Sequence, residues 1–552
     1  MTWLGLPFTP RYILLTLALV MTALMASEVV MAQHYAWLLS VVLAACAALS
    51  VLGIRDMVQT RHSILRNYPI AAHLRFLFED IRPELRQYLF ESEKDGAPFS
   101  RDDRAIVYQR AKMVLDKRPF GTQSDVYADN FEWLNHSIAP APVVKDGFRV
   151  RIGGPACARP YDASVYNISA MSFGALSANA IRALSTGAKL GGFAQDTGEG
   201  GLSPYHEAGG GDIIWEIGSG YFGCRNEDGT FSPERFAKVA GSGQVKMVEL
   251  KLSQGAKPGH GGVLPGAKVS AEISRIRGVP VGQDCISPAR HSAFSTPIEL
   301  LQFIAQLRHL SGGKPAGFKL CVGQPHEFLA ICKAMLTTGI TPDFIVIDGK
   351  EGGTGAAPLE FIDHIGMPMR EGLSFAHNAL IGCRLRGQVR LGAAGKIVTA
   401  FDMARAFALG ADWCNAARGF MFAIGCIQSQ SCHTDRCPVG VATQDATRQR
   451  GLVVADKSQR VANFHAATMH SLAEVVAAAG LDHPAGFTSH HISRRVSPSA
   501  VRTFAELYPA LKPGELLTGT DDPRFKAAWA MASAESFGAA PDFPLPSAPL
   551  QR

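Results

Sequence analysis

Two long uncharged runs open the chain, Tyr12 to Ser27 and Ala36 to Ile54, separated by the polar hinge Glu28–Tyr35. The second run spans 19 residues, close to the roughly 20 that a membrane-spanning helix needs. The first gains reach if Val29 to Ala32 also enter the bilayer. Arg11 precedes the pair, Arg55, Arg61 and Arg66 follow it, and the hinge holds neither Lys nor Arg. The positive-inside rule therefore predicts a transmembrane hairpin over residues 1–56 with both ends in the cytoplasm. That places the protein in the cytoplasmic (inner) membrane, with its large C-terminal portion facing the cytoplasm. A cleaved leader ending near Met25-Ala26-Ser27 is one alternative, although it gives the second run no use. A pair of buried core helices is the other. From Asp56 onward the chain becomes charged, with helical spacing over Ala71–Phe78 and from Ile106. Residues 57–140 read as a helical connector that packs on the main domain.

From Val143 to about Gly480, short β-rich runs alternate with helical stretches. The predicted strands are Tyr166–Ala170, Phe193–Gln195, Val245–Leu250, Gly317–Leu320, Phe344–Ile347, Val389–Leu391 and Trp413–Ala416. The predicted helices include Ala178–Leu190, Pro297–Leu310, Glu327–Thr338, Ser374–Leu385 and Ala400–Leu409. Such alternation indicates parallel βαβ units. Its length and its Gly-rich loops favour an α/β fold of the (β/α)8 TIM-barrel type over 141–485, with a doubly wound sheet as the runner-up. Residues 486–552 read as a helical extension ending in a Pro-rich tail from Ala539.

Composition narrows the field. Apolar residues make up 47% of the 552 and charged residues 18%, which excludes a disordered polyelectrolyte. A net charge of +6 without basic clusters gives no footprint for nucleic acid. Eleven cysteines, an odd number, stand mostly alone in apolar stretches and read as reduced core thiols.

The exception is Cys426-Ile-Gln-Ser-Gln-Ser-Cys432-His-Thr-Asp-Arg-Cys437-Pro438. Three thiols followed by Pro resemble an iron–sulfur loop, and three ligands suit a [3Fe-4S] cluster. Zinc with His433 as a fourth ligand and a purely structural role are the alternatives. Four Gly-rich loops stand at predicted strand ends: Ser169-Ala-Met-Ser172-Phe-Gly174, Asp196-Thr-Gly-Glu199-Gly-Gly201, Gln254-Gly-Ala-Lys257-Pro-Gly-His260-Gly-Gly262 and Asp348-Gly-Lys-Glu-Gly352-Gly353-Thr-Gly355. The series implies a ligand pressed against backbone over a wide area. Lys251 and Lys257 flank the third loop and suit a carboxylate or a reduced flavin anion. In phosphate-binding barrels the phosphate sits after the last two strands. Here those loops hold Gly395, Lys396, Ala417, Arg418 and Gly419. Gly218-Ser-Gly220-Tyr-Phe-Gly223 satisfies G-x-G-x-x-G, but no helix pattern follows it, so it is rejected as a dinucleotide site. With no NAD(P) domain visible, electrons are expected by another route.

These motifs resemble the central, FMN-binding part of glutamate synthase. Ser169-Ala-Met-Ser172-Phe-Gly-Ala-Leu-Ser177, Thr197-Gly-Glu199-Gly-Gly, Lys251-Leu-Ser-Gln-Gly-Ala-Lys257-Pro-Gly, Gly352-Gly353-Thr-Gly-Ala-Ala-Pro358 and Cys432-His-Thr-Asp-Arg-Cys437-Pro-Val-Gly-Val-Ala-Thr-Gln444 occur in the family's order. They span about half of the chain. The resemblance implies a barrel holding FMN beside a [3Fe-4S] cluster, and reduction of 2-iminoglutarate, formed from 2-oxoglutarate and ammonia, to glutamate. It implies Cys426, Cys432 and Cys437 as cluster ligands. It implies Ser169, Ala170, Ser172, Lys251 and Gly353 as FMN contacts, together with the phosphate loops. Glu199, Lys251, Lys257 and Arg277 are then the implied catalytic set, with Arg277 on a substrate carboxylate.

Three positions depart from the family pattern: Leu202 and His260 stand where it has acids, and Val263 where it has a polar residue. Leu202 and Val263, apolar replacements that could admit a methyl group, motivate a second reading, an N-alkylglutamate synthase using an amine. A third is a membrane electron-transfer or redox-sensing module without amino-acid chemistry. The opening Met1-Thr2-Trp3-Leu4 offers no nucleophilic Cys and no glutaminase, and too little follows Gln444 for the family's C-terminal β-helix. Ammonia is therefore expected free or from a partner. The electron donor is expected to be a separate protein or a membrane quinol.

Overall fold

The computed structural model describes residues 7–31, 35–60, 62–145 and 147–540. The expectations placed on Met1–Leu4, Ala32–His34, Arg61 and the tail beyond Ala540 lie outside them. The chain divides into two units, Met1–Arg101 and Asp102–Arg552.

In the first unit, helices α1 (Ile13–Met31) and α2 (Ala36–Val58) are each long and apolar enough to cross a membrane. They pack as a hairpin. Thr22 Oγ1 and Ser50 Oγ lie 2.9 Å apart. A Cβ at Gly53 would come within 2.6 Å of Leu15 Cδ1, so glycine lets the helices close. Leu17, Val20, Leu24, Val41 and Val51 face outward instead of into a core. At the end of α2, buried Asp56 accepts hydrogen bonds from Ile70 N at 3.1 Å and from His73 Nε2 at 2.9 Å, anchoring the following helix Ala71–Leu85.

The second unit is built on a closed parallel barrel of eight strands. In chain order these are β1 (Tyr166–Ile168), β2 (Ala194–Asp196), β3 (Asp212–Ile217), β4 (Val245–Lys251), β5 (Ala316–Leu320), β6 (Phe344–Asp348), β7 (Arg390–Ala394) and β8 (Trp413–Ala416). The seam closes with Ala416 opposite Ile168. Sequence patterning misses β3. Three glycines precede it, and Asp212 and Glu216 interrupt its apolar run.

The helices over Ala178–Gly191, Pro297–Leu310, Pro325–Thr338, Met369–Gly382 and Ala400–Ala408 follow the predicted ones closely. Thr296 with Glu299 and Thr399 with Asp402 form capping boxes that start two of them. The 25-residue helix Val454–Ala478 carries no prediction. It packs on Ala178–Gly191 where Gly187 admits Val461, since a Cβ there would meet Val461 Cγ1 at 2.4 Å. A three-stranded antiparallel sheet joins Glu132–Leu134 to the hairpin Ile492–Ser497 and Ala500–Thr503. Strands thus occur in both stretches expected to be helical. Glu132 on the first of these strands pairs with Arg370, Arg405 and Arg494.

Candidate active site

The four Gly-rich loops meet at the C-terminal end of the barrel, where a (β/α)8 fold builds its sites. The loops after β1 and β2 touch, because a Cβ at Gly198 would stand 2.8 Å from Ser172 N. The loops after β4 and β6 touch more closely, a Cβ at Gly255 falling 1.7 Å from Gly349 O. Gly255 N also donates to Asp348 Oδ2 at 2.9 Å. Only glycine permits this convergence.

Glu199 lies between two further glycines, and a Cβ at Gly218 or Gly262 would strike its carboxylate. Lys251 Nζ donates to Glu199 Oε2 at 2.7 Å. Burial opposes ionisation of Glu199, but Lys251, Arg277 and Lys257 together outweigh it and hold the carboxyl below its ordinary value. The structure therefore gathers all four expected catalytic residues. Lys257 is 2% exposed, and desolvation brings its ammonium down to about 8. Arg277 Nη2 donates to Phe173 O at 3.0 Å and Ser172 Oγ at 3.2 Å, while its buried Nε has no partner. It thus props the first loop and adds its charge to the field at Glu199.

Sequence reasoning missed His291, whose Nε2 lies 2.9 Å from Lys251 O and Nδ1 3.1 Å from Tyr221 Oη. Burial lowers its pKa to about 4, so it braces β4 as a neutral ring. It also missed Glu216 and Lys319 inside the barrel, and it read Asp196 only as the start of a Gly-rich loop. For Glu216 and Lys319 the signal is a charge within a strand between apolar neighbours. Gly218–Gly223 runs through turns, and the next helix begins only at Pro233, as the rejection of that motif requires.

At the far side of the mouth, Arg418 packs against Gly353, where a Cβ would sit 3.0 Å from the guanidinium. Desolvation lowers Arg418 to about 10 despite Asp348 and Glu351 nearby. Lys396 is lowered for the same first reason, with Arg418 adding to it. Two cations held below their ordinary values beside glycine backbone gain from an anion, so these residues fit the phosphate end of FMN. Ser169 N donates to Ala416 O at 3.0 Å, placing Ser169 and Ala170 just past the strand ends.

The cysteine loop is tied to the same mouth. Gln444 Nε2 donates to Gly174 O at 3.0 Å and Leu176 O at 2.9 Å. Lys268 Nζ reaches across to Ala175 O at 3.1 Å and Ala442 O at 2.9 Å. Tyr108 Oη donates to Cys426 O at 2.6 Å. Gln428, Gln430 and Asp435 adopt left-handed backbone, folding the loop so that its thiols interact. All eleven cysteines are free. Among the described residues, only an acidic trio brings three ligand atoms within 4.8 Å of one another, so the thiols stand wider. Tetrahedral zinc draws its ligands to within about 4 Å, and His433 is exposed. Three soft donors at wider spacing fit an iron–sulfur cluster.

Residues 162–482 match the family described as "Conserved region in glutamate synthase". The glutamate synthase large subunit-like protein YerD of Bacillus subtilis is 40% identical over 490 residues, covering 81% of this chain and 93% of that protein. The archaeal glutamate synthase (NADPH) of Methanocaldococcus jannaschii is 37% identical over 319 residues, 57% of this chain and 59% of that one. The chain thus spans under two thirds of the archaeal relative's length. A solved flavocytochrome b2 variant with pyruvate bound superposes at a TM-score of 0.41 with 12% identity, over 76% of this chain and 85% of that one. The structural likeness is too distant to add to the barrel itself. The match over more than half of the sequence defines the class, an FMN-dependent oxidoreductase acting on an amino donor. The chain belongs to the glutamate synthase family.

Proposed function

We propose that this protein is a membrane-tethered glutamate synthase-like oxidoreductase that makes L-glutamate from 2-oxoglutarate and ammonia. The observation that carries this reading is the convergence of Lys251, Lys257 and Arg277 on Glu199 at the barrel mouth. A dicarboxylate needs fixed cations, and these are held by packing before it arrives. Lys257 and the free Nε edge of Arg277 bind substrate carboxylate. Glu199, kept ionised by its neighbours, accepts and returns a proton as ammonia adds to the keto carbon and water leaves. The close-packed glycine loops exclude bulk water from the resulting imine.

Ser169, Ala170, Ser172, Lys251, Gly353, Gly395, Lys396, Ala417, Arg418 and Gly419 would hold FMN, which when bound would supply hydride chemistry at this mouth. Cys426, Cys432 and Cys437 would hold a [3Fe-4S] cluster, which would relay single electrons from a donor protein or a quinol. Ammonia arrives free or from a partner. The hairpin supports a tether in the inner membrane with the barrel in the cytoplasm.

The test is anaerobic stopped-flow of the dithionite-reduced protein. Flavin reoxidation requiring both 2-oxoglutarate and ammonium, with glutamate as product, is the expected result. No reoxidation with both cofactors present defeats the reading. Leu202 and Val263, apolar where the family pattern has an acid and a polar residue, favour a second one. Faster reoxidation with methylamine than with ammonium selects the N-alkylglutamate product.

A further inference from the structure

Beneath the mouth, the barrel interior holds charges that the reaction above does not use. Register sets them. Glu216 on β3 lies opposite Glu249 on β4, and Lys319 on β5 lies opposite Lys251 on β4. Alternation along β4 turns Glu249 and Lys251 to one face. A carboxylate oxygen from each of Asp196, Glu216 and Glu249 lies within 4.8 Å of the others. Lys319 Nζ pairs with Glu216 and stands 3.3 Å from Glu249 Oε1. Lys251 Nζ lies 4.0 Å from Glu216 Oε1 and 2.7 Å from Glu199 Oε2. The three acids are each 1% exposed and Lys319 is 3% exposed.

Three carboxylates around one ammonium cannot all ionise without water. Asp196 Oδ1 accepts from Gly198 N at 2.9 Å, whereas Glu249 accepts no well-aligned hydrogen bond and has only the ion pair of Lys319 with its Oε1. The ammonium of Lys319 already stands where a metal ion would sit. A proton between Asp196 and Glu249 gives Glu249 a second donor beside Lys319. It also leaves the series Asp196/Glu249, Lys319, Glu216, Lys251, Glu199 alternating in sign from the barrel interior to the pocket.

We propose that Asp196 and Glu249 share one proton at neutral pH, and that this proton sets the charge beneath the substrate pocket and keeps Lys251 on Glu199. The inference rests on the dicarboxylate reading of that pocket. Burial, with Glu249 and Glu216 adding, raises Asp196 well above the ordinary carboxylate range. Burial raises Glu249 to about 7 against the pull of Lys319. Lys319 stays protonated because Glu216, Glu249, Asp196 and Asp348 outweigh its desolvation. Arg418 faces Asp348, Lys257 and Arg277 face Glu199, and neutral His291 lies behind Lys251. When the shared proton leaves, a second negative charge opposes an anionic substrate above. Asp196 and Glu249 are thus positioning residues, acting through Lys319 and Lys251.

The test is infrared difference spectroscopy of the holoenzyme across neutral pH, with 2-oxoglutarate affinity followed by flavin absorbance. The expected result is a protonated-carboxyl carbonyl band that shifts in heavy water and disappears in both Asp196→Asn and Glu249→Gln. Wild-type affinity weakens as rising pH removes the shared proton, by up to about tenfold per unit, and either variant removes that dependence. A missing band, or one unchanged in both variants, overturns the proposal. The heavy-water shift needs no variant and so survives a folding failure. A protein that shows the band but does not turn over 2-oxoglutarate and ammonia loses the functional reading and keeps the shared proton.

Discussion

Lys257 is the cation whose charge is easiest to remove at the mouth, because desolvation has brought it to about 8. A buried lysine with a lowered pKa carries its charge below that value and loses it above. Affinity for 2-oxoglutarate in Asp196→Asn, freed of the lower transition, is therefore expected to fall above pH 8, approaching tenfold per unit. Isothermal titration at several pH values checks this, and Lys257→Met should bind weakly throughout. Stability runs the opposite way. Burying the charged ammonium costs free energy below pH 8, and that cost fades as pH rises toward the unfolded value of 10.5. At the thiol loop, Cys432→Ser is expected to lose iron and its visible absorption while flavin stays bound. Metal analysis beside flavin extraction measures both, and retained iron would remove Cys432 from the ligand set. Individual charged residues in the Gly-rich motifs were legible from sequence. Glu216 and Lys319 were not, since a lone charge in a strand does not say whether it faces the barrel axis, and Asp196 was legible as part of a loop but not as a partner of theirs.

Among the elements, the strands and helices that sequence located are those with uninterrupted apolar runs or a capping residue. Thr399→Ala removes a capping box and is expected to cost about 1 kcal/mol. Gly392→Ala places a Cβ 2.5 Å from the Trp413 ring across β7 and β8, an overpacking expected to cost about 1–3 kcal/mol. Urea unfolding midpoints measure both. Strand β3 escaped sequence because Asp212 and Glu216 break its apolar pattern, and tertiary structure answers both. Asp212 pairs with Lys246 and accepts from Tyr161 Oη, and Glu216 pairs with Lys319. The helix Val454–Ala478 escaped because it buries Ser458, His465 and Thr468 among its apolar residues. Polar residues fit there only once partners such as Ser164, 3.1 Å from His465 Nε2, are supplied.

For the whole molecule, the two units separate the hairpin from the chemistry. A chain read as tethered should sediment with membranes and resist alkaline carbonate. A chain lacking residues 1–60 should move to the soluble fraction with its flavin spectrum unchanged. Retention of the shortened chain on membranes would place the attachment elsewhere.

By itself the sequence determined the alternation of strands and helices, the two uncharged runs, and the ordered motifs that mark the family. These are local patterns, set by side-chain period and by the backbone freedom of glycine. Only the tertiary structure decided which charges share the barrel interior, that Arg277 props the Ser172 loop, and that segments near residues 132 and 492 pair as strands. Those outcomes depend on barrel closure and register, which bring together residues far apart in sequence. In that dry interior a carboxylate's protonation is set by its neighbours in space.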